Sequence, residues 1–198
     1  MPHDNDKAII IKNEVRKTAL ENIHDAIMNH CESDDVVVLL DGDDWFPNKK
    51  VLSYIDEQYD KNDCWIMYGS SSWTDGRKCC SSEYSEKEFE DLRKCPFRVS
   101  HLRTFRAGVY HKIQEQDSDF SCLKDSDGDF YKMTYDVAMM LPILEMSGKD
   151  KVIHNKSVLY IYNRHNPISD DKVNQKLQWD IHAEILKKPK FKKIENYN

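Results

Sequence analysis

VVVLLDGDDWF, residues 36–46, is the stretch from which the rest of the chain is read. Five apolar residues lead straight into Asp41, Gly42, Asp43 and Asp44, and the aromatics Trp45 and Phe46 follow. Three carboxylates this close repel one another, so the cluster belongs in water or around a cation. Residues 36–40 have no polar face, the pattern of a central strand covered on both sides. In the D-x-D of Asp41 and Asp43, two carboxylates project to the same side of an extended segment, within reach of one divalent ion. A hard ion held by one or two carboxylates keeps open positions that phosphate oxygens typically fill. Such a site suits a diphosphate rather than a closed metal cage. Gly42 lets a ligand approach the backbone. The plainer alternative is an acidic turn capping the next helix.

The flanks give the cluster a setting. Residues 8–11 (AIII) read as a short strand, and Ala19, Leu20, Ile23, Ala26 and Ile27 recur at helical spacing over residues 16–30. After the 36–40 strand, Pro47-Asn48 opens a helix through Val51, Leu52 and Ile55, and residues 65–68 form another buried strand. Strand and helix alternating in this way predict an α/β sheet. In such sheets ligands bind beyond the carboxyl ends of the strands, where Asp41, Asp43 and Asp44 stand.

Further on, residues 70–83 read as a loop rich in Ser, Gly and Cys. Ser85 and Glu88 fit a capping box, and residues 101–112 suit either strand or helix. An acidic loop spans 117–128. Residues 135–146 are dense in helix formers, with Pro142 expected to kink or shorten the helix. Residues 152–162 predict a strand or hairpin. Val173, Leu177, Ile181 and Ile185 mark an amphipathic C-terminal helix, which ends in the basic run KKPKFKKI. The expected organisation is one α/β domain over residues 1–172, then a helix and basic tail over 173–198.

Composition narrows the function classes. The 198 residues are 39% hydrophobic and 32% charged, with a net charge of −6, which argues against generic nucleic-acid binding. No apolar run approaches the length of a membrane span, and MPHDNDK lacks the apolar core of a signal peptide. The six cysteines make no C-x-x-C pair, so zinc spacing is absent; reduced thiols and a cytoplasmic location are expected. The basic tail could add weak contact with a membrane surface. Asp125, Asp127 and Asp129 resemble part of an EF-hand. However, Gly128 precedes the third ligand instead of following it, and position twelve is Asp136 rather than Glu, so Ca²⁺ is not expected there.

VVVLLDGDDWFPNKKVLSYI resembles the metal-binding segment of a GT-A glycosyltransferase of the family 2 type. RKTALENIHDAI resembles the helix before that segment, and CWIMYGSS the strand after it. RVSHLRTFRAGVYHKI, GDFYKMTYDVAMMLPILEMSG and VLYIYNRHNPISDD resemble successive blocks of a subgroup from bacteria and large viruses. The likeness runs in order over residues 10–172. It implies a GT-A-like (Rossmann-like) mixed sheet flanked by helices. It also implies metal-dependent transfer of a sugar from a nucleotide-sugar donor, a UDP-sugar foremost, to a hydroxyl acceptor with inversion.

By the same resemblance, Asp43 binds Mn²⁺ or Mg²⁺ directly, and Asp41 contacts the sugar or ribose, or the metal through water. Asp136 takes the position of the general base; its plain alternative is a cap for its helix. His101 and Arg103 are candidates for the pyrophosphate or the acceptor, and Arg16 is a further substrate-binding candidate. His165 would be a late metal ligand; as an alternative it is an ordinary loop histidine. The chain departs from the family at its start. The P-x-Y-N-like strand end and the following aspartate-ended strand, which hold the donor's base, are not evident before residue 16, and Thr18 stands where the subgroup usually has glycine. Three alternatives are therefore expected: the sequence is a fragment, the other half of the donor site lies on another chain (a second copy, through self-association, or a separate N-terminal piece), or donor binding has been lost. The rival readings are a non-catalytic remnant that binds a sugar or a partner, and a nucleotidyltransferase. The second would want a Gly-rich phosphate loop near the N-terminus, which the sequence lacks.

Overall fold

Alternation along the strands sorts the core into two layers. In the computed structural model, which describes residues 8–78, 81–167 and 170–198, the strands are β1 (Val36–Leu39), β2 (Ile66–Trp73), β3 (Arg103–Arg106) and β4 (Val152–Tyr162). They form one mixed sheet in the order β1-β3-β2-β4. β3 is antiparallel to both neighbours, and β2 is parallel to β4. The fold is therefore α/β, with helices flanking a four-stranded mixed sheet.

Successive strand residues point to opposite faces. Leu39, Ile66, Tyr68 and Phe105 enter the larger core. Met67, Leu159 and Tyr160 enter the smaller one, beneath the helix α2 (Val51–Lys61), which contributes Val51, Ile55 and Tyr59; the successive Leu159 and Tyr160 share that core because the register of β4 against β2 shifts there. The Tyr59 hydroxyl meets Thr104 Oγ1 at 3.0 Å, so the buried polar atoms of that layer satisfy each other.

The larger core rests on α1 (Ala19–His30), then α4 (Ala107–His111) and α5 (Ile113–Gln116), then α6 (Tyr135–Ser147). α3 (Glu86–Phe89) precedes β3 and carries the complete capping box read from Ser85 and Glu88. α7 (Asp170–Val173) and α8 (Gln175–Lys187) close the fold. Thr18 caps α1 by accepting the Glu21 N–H at 3.1 Å; a glycine could not supply that bond, which is worth about 1 kcal/mol. α6 is buried along Val137 to Ser147 and runs through Pro142 without stopping. Burial of nearly every side chain offsets the hydrogen bond that proline removes.

Several expectations are corrected. Residues 8–11 form no strand: Ile9, Ile10 and Ile11 are 71%, 91% and 53% exposed, with no sheet neighbour to pair with. The strand expected over 36–40 spans Val36–Leu39: Val37 and Leu39 pack on one face and Val36 and Val38 on the other, but only Leu39 is buried, Leu40 lies past the strand at 43% exposed, and β1 stands at the edge of the sheet, paired only with β3 among the described residues. The apolar run signalled covered faces, which an edge strand can also have. The loop expected at 70–83 begins later, because β2 continues through Ser70, Ser71 and Ser72 to Trp73 against β4. The small residues sit where β2 and β4 shift register; a side chain on Gly69 would stand 2.8 Å from the Asn155 carbonyl oxygen. Residues 101–112 are both strand and helix, β3 followed at once by α4.

In α8 only Ile181 and Ile185 are buried, while Val173 and Leu177 stay 65% and 39% exposed. The basic run lies on the core: Phe191 is buried, its N–H donates to Glu145, and the Ile194 N–H donates to the Met146 carbonyl. Cys31, Cys64, Cys95 and Cys122 are free thiols, while Cys79 and Cys80 lie outside the described residues. Among the described residues no helix is long and apolar enough to cross a membrane.

Candidate functional site

The chain leaves β1 and turns at once. The Asp44 N–H donates to the Asp41 carbonyl at 3.1 Å, closing a turn over Gly42 and Asp43. No protein atom comes within 4 Å of where a Gly42 side chain would begin, so the space over the turn is open. Trp45 then exchanges two backbone hydrogen bonds with Ile161 at the end of β4. This pairing sets the carboxylates against β4 and the segment that follows it.

Each aspartate meets a different environment. Asp41 accepts from the Tyr135 hydroxyl at 2.7 Å, and the Tyr160 hydroxyl lies 3.4 Å from its other oxygen. Asp44 accepts from Tyr160 and from the Asn163 N–H. Burial pushes the Asp44 carboxyl above its usual range, against the pull of those two donors, and the neighbouring carboxylates Asp43 and Asp41 add to the rise. Burial also pushes the Tyr135 and Tyr160 hydroxyls up, so both remain protonated donors. Asp43 is exposed and accepts from the Asn166 side-chain amide. The 163–166 loop is thereby pinned to the turn at both Asp44 and Asp43. His165 sits in that loop, exposed, with its N–H on the Asn163 side chain.

Asp136 approaches from the far side. It stands in the first turn of α6, preceded by Thr134 in a left-handed conformation with φ of 60°. A β-branched residue there costs on the order of 1–3 kcal/mol and persists only where its surroundings fix it. Here that backbone delivers Tyr135 to Asp41 and Asp136 to Arg103. Asp136 is not the cap of its helix, since that position is Thr134.

Arg103 is buried. It donates to Asp136 Oδ2 at 2.7 Å and to the Val99 carbonyl at 3.1 Å, and it also reaches the His101 ring. His101 stacks on Tyr160 with ring centroids 4.3 Å apart. Burial first, and then the Arg103 charge, holds the His101 ring well below its ordinary pKa, so it is neutral. Asp41, Asp44, Tyr160, His101, Arg103 and Asp136 thus form one continuous polar chain across the end of the sheet.

The residues singled out in the sequence divide accordingly. Asp41, Asp43, Asp136, His101 and Arg103 are brought together, with the His165 loop beside them. Arg16 is exposed before α1 and has no hydrogen bond to the cluster among the described residues. Asp41, Asp43 and His165 do not converge as a cage, for among the described residues no group of three His, Cys, Asp or Glu could hold an ion unaided. The donor chemistry nevertheless fits a hard divalent ion: Asp43 offers an exposed carboxylate, and the hydroxyls on Asp41 leave it further lone pairs. Asp125 spends one carboxylate oxygen on the N–H groups of Asp127 and Asp129 in its own loop.

Tyr135, Tyr160, Asn163 and Asn166 were missed as site residues. The first stands next to Asp136, and the others follow one another through the end of β4. A reading that placed the strand end against the D-x-D turn would have found them.

Compared with protein-family models and with curated proteins, the chain matches none.

Proposed function

We propose that the chain is a GT-A-like, metal-dependent glycosyltransferase that moves a sugar from a nucleotide-sugar to a hydroxyl acceptor with inversion. The observation that carries this reading is the meeting of the Asp41–Asp44 turn and Asp136 at one end of the sheet, joined through Tyr135, Tyr160, His101 and Arg103. Asp43, with Asp41 beside it, would hold Mn²⁺ or Mg²⁺. A divalent cation there supplies neutralisation of the charge that develops on the leaving diphosphate. Tyr135 fixes the Asp41 carboxylate, while Tyr160 donates its proton to Asp44 and accepts the Asp41 N–H.

In the transfer, the acceptor oxygen bonds to the anomeric carbon as the bond from that carbon to the diphosphate breaks. The acceptor proton passes to Asp136. Each Asp136 oxygen already accepts one donor, from the Val137 N–H or from Arg103, and each keeps a second lone pair. Arg103 positions that carboxylate and offsets its charge.

A second reading, the non-catalytic remnant, is favoured by one observation. Among the described residues, those before α1 form no strand, and β1 pairs only with β3.

Titration of the full chain with Mn²⁺, with and without UDP-glucose, tests the proposal. Binding that falls about tenfold or more in Asp43→Asn, at an unchanged melting temperature, is expected. Wild-type Mn²⁺ affinity in that variant removes the metal assignment. Mn²⁺ binding with no transfer or hydrolysis of any UDP-sugar leaves the remnant.

A further inference from the structure

A second cleft, of about 490 Å³, opens beside Asp136 at the C-terminal end of β2. Trp73, Arg77, Lys78, Arg98, Arg103 and Asp136 line it. Four cations face one carboxylate there, in a chain whose net charge is −6. Three of the cations have carboxylate partners: Arg77 pairs with Asp75, Arg98 with Glu88, and Arg103 with Asp136 itself. Lys78 is exposed and has no ion-pair partner among the described residues.

The guanidinium groups are also held in place. Arg77 sits 4.5 Å from the Trp73 ring centre, and Arg98 lies 4.8 Å from that of Tyr84. Stacking on a ring removes rotamer freedom before any ligand arrives. Arg77 already gives Nε and Nη2 to Asp75, and Arg98 gives Nη1 and Nη2 to Glu88, so an anion meets their remaining N–H groups together with the Lys78 ammonium. The D-x-D carboxylates do not line this cleft, so its positive charge is not what balances them.

We propose that this cleft binds an anionic saccharide, with Arg77, Lys78 and Arg98 taking its carboxylate or phosphate group. The assignment of that saccharide as the acceptor rests on the transferase reading, because Asp136 at the cleft wall is the proton-accepting group there. The acceptor would then be a sugar that carries its negative charge within reach of Lys78 while a hydroxyl faces Asp136. The donor's diphosphate is the other source of such an anion, and it would depend on Asp43.

The test is calorimetric titration of the full chain with glucuronate and with glucose 6-phosphate, using neutral glucose as the control. At least one charged sugar should bind about tenfold or more tightly than glucose, and more weakly as salt is raised from about 50 to about 300 mM. Arg77→Ala with Lys78→Glu, both on exposed residues, should lose about tenfold in affinity at an unchanged melting temperature. Asp43→Asn should bind as the wild type does. Charged sugars that bind no better than glucose, or a charge-reversed variant of wild-type affinity, overturn the proposal. Anion binding that vanishes in Asp43→Asn assigns the anion to the donor and overturns it as well. Charged-sugar binding in a chain that binds no Mn²⁺ leaves the cleft standing and removes only the transferase reading.

Discussion

Two of the molecule's arginine–carboxylate pairs, Arg93–Glu145 and Arg103–Asp136, have a buried arginine, and they are built for different ends. Arg93 and Glu145 are 8% and 0% exposed, in a bidentate pair at 2.7 and 2.9 Å. Arg93 also donates to the Ile185 carbonyl, and Glu145 accepts from the Phe191 N–H. Their strong hydrogen-bonding positions point into the protein. Arg103 and Asp136 are 6% and 27% exposed, held by a single charged contact, with the carboxylate at the wall of two clefts. The closed pair joins α6, α8 and the C-terminal run, and has nothing left to offer a ligand. The open pair has a buried cation and a reachable anion. The comparison shows that burial of the pair as a whole says little about role; what matters is which partner keeps contact with solvent.

The sharpest way to break the comparison is to cut each pair on its acidic side. Glu145→Ala leaves a buried, uncompensated arginine and should cost about 3–5 kcal/mol, read as a lower denaturant midpoint, with little change in Mn²⁺ binding. Asp136→Asn keeps an oxygen for Arg103 but removes its counter-charge, so it should melt below the wild type by less than Glu145→Ala does, and lower kcat by about a hundredfold, with donor affinity retained. A large loss of stability in Asp136→Asn, together with wild-type turnover, would make the two pairs alike and return Asp136 to a structural role.

The surroundings of the two pairs differ as well. Helices and the C-terminal run enclose the closed pair, whereas the open pair stands one strand in from β1, whose outer edge is unpaired among the described residues. An unpaired edge is a template for another strand, and Ile9, Ile10 and Ile11 leave further apolar surface exposed. The chain should therefore self-associate at about 100 μM, measured by light scattering; a monomer with tight UDP-glucose binding would contradict the split donor site.

The smallest expected effect is one of pH. His101 is neutral in the folded chain because its pKa is held far below the ordinary 6.5. The unfolded chain takes up the proton that the folded one refuses. Stability should thus be complete above that value and fall as pH drops below it, by at most about 1.4 kcal/mol per pH unit for one proton. Half-buried His24, His154 and His182 act in the same direction in both proteins, so only the difference in slope between the wild type and His101→Asn reports this site. Equal slopes would mean that His101 titrates as a free imidazole.

Much of this was legible in the sequence, for identifiable reasons. The run of Val36 to Leu39 into Asp41 was legible as a strand ending in carboxylates, because an unbroken apolar run followed by charge is a local pattern. The Ser85–Glu88 box and the α1 stripe were local signals, and local signals survive folding. The edge position of β1 was not legible, because strand order depends on partners distant in the chain. β2 hid its second half in Ser70, Ser71 and Ser72, residues of low strand propensity that the register shift against β4 accommodates. Tyr160 and Tyr135 looked like ordinary core residues, and only the fold brings their hydroxyls to Asp41.

The laid-down basic run has a consequence for digestion. Residues 187–194 hold five lysines, an inviting substrate for trypsin. Yet the N–H groups of Phe191, Lys192 and Ile194 are bonded to Glu145, Gln116 and Met146, and Phe191 is buried. A protease needs an extended, detached segment, so cleavage here waits for that segment to lift off α6. The rate of nicking at these lysines is accordingly a clock for local opening at the closed pair, readable on a gel without any knowledge of the ligand.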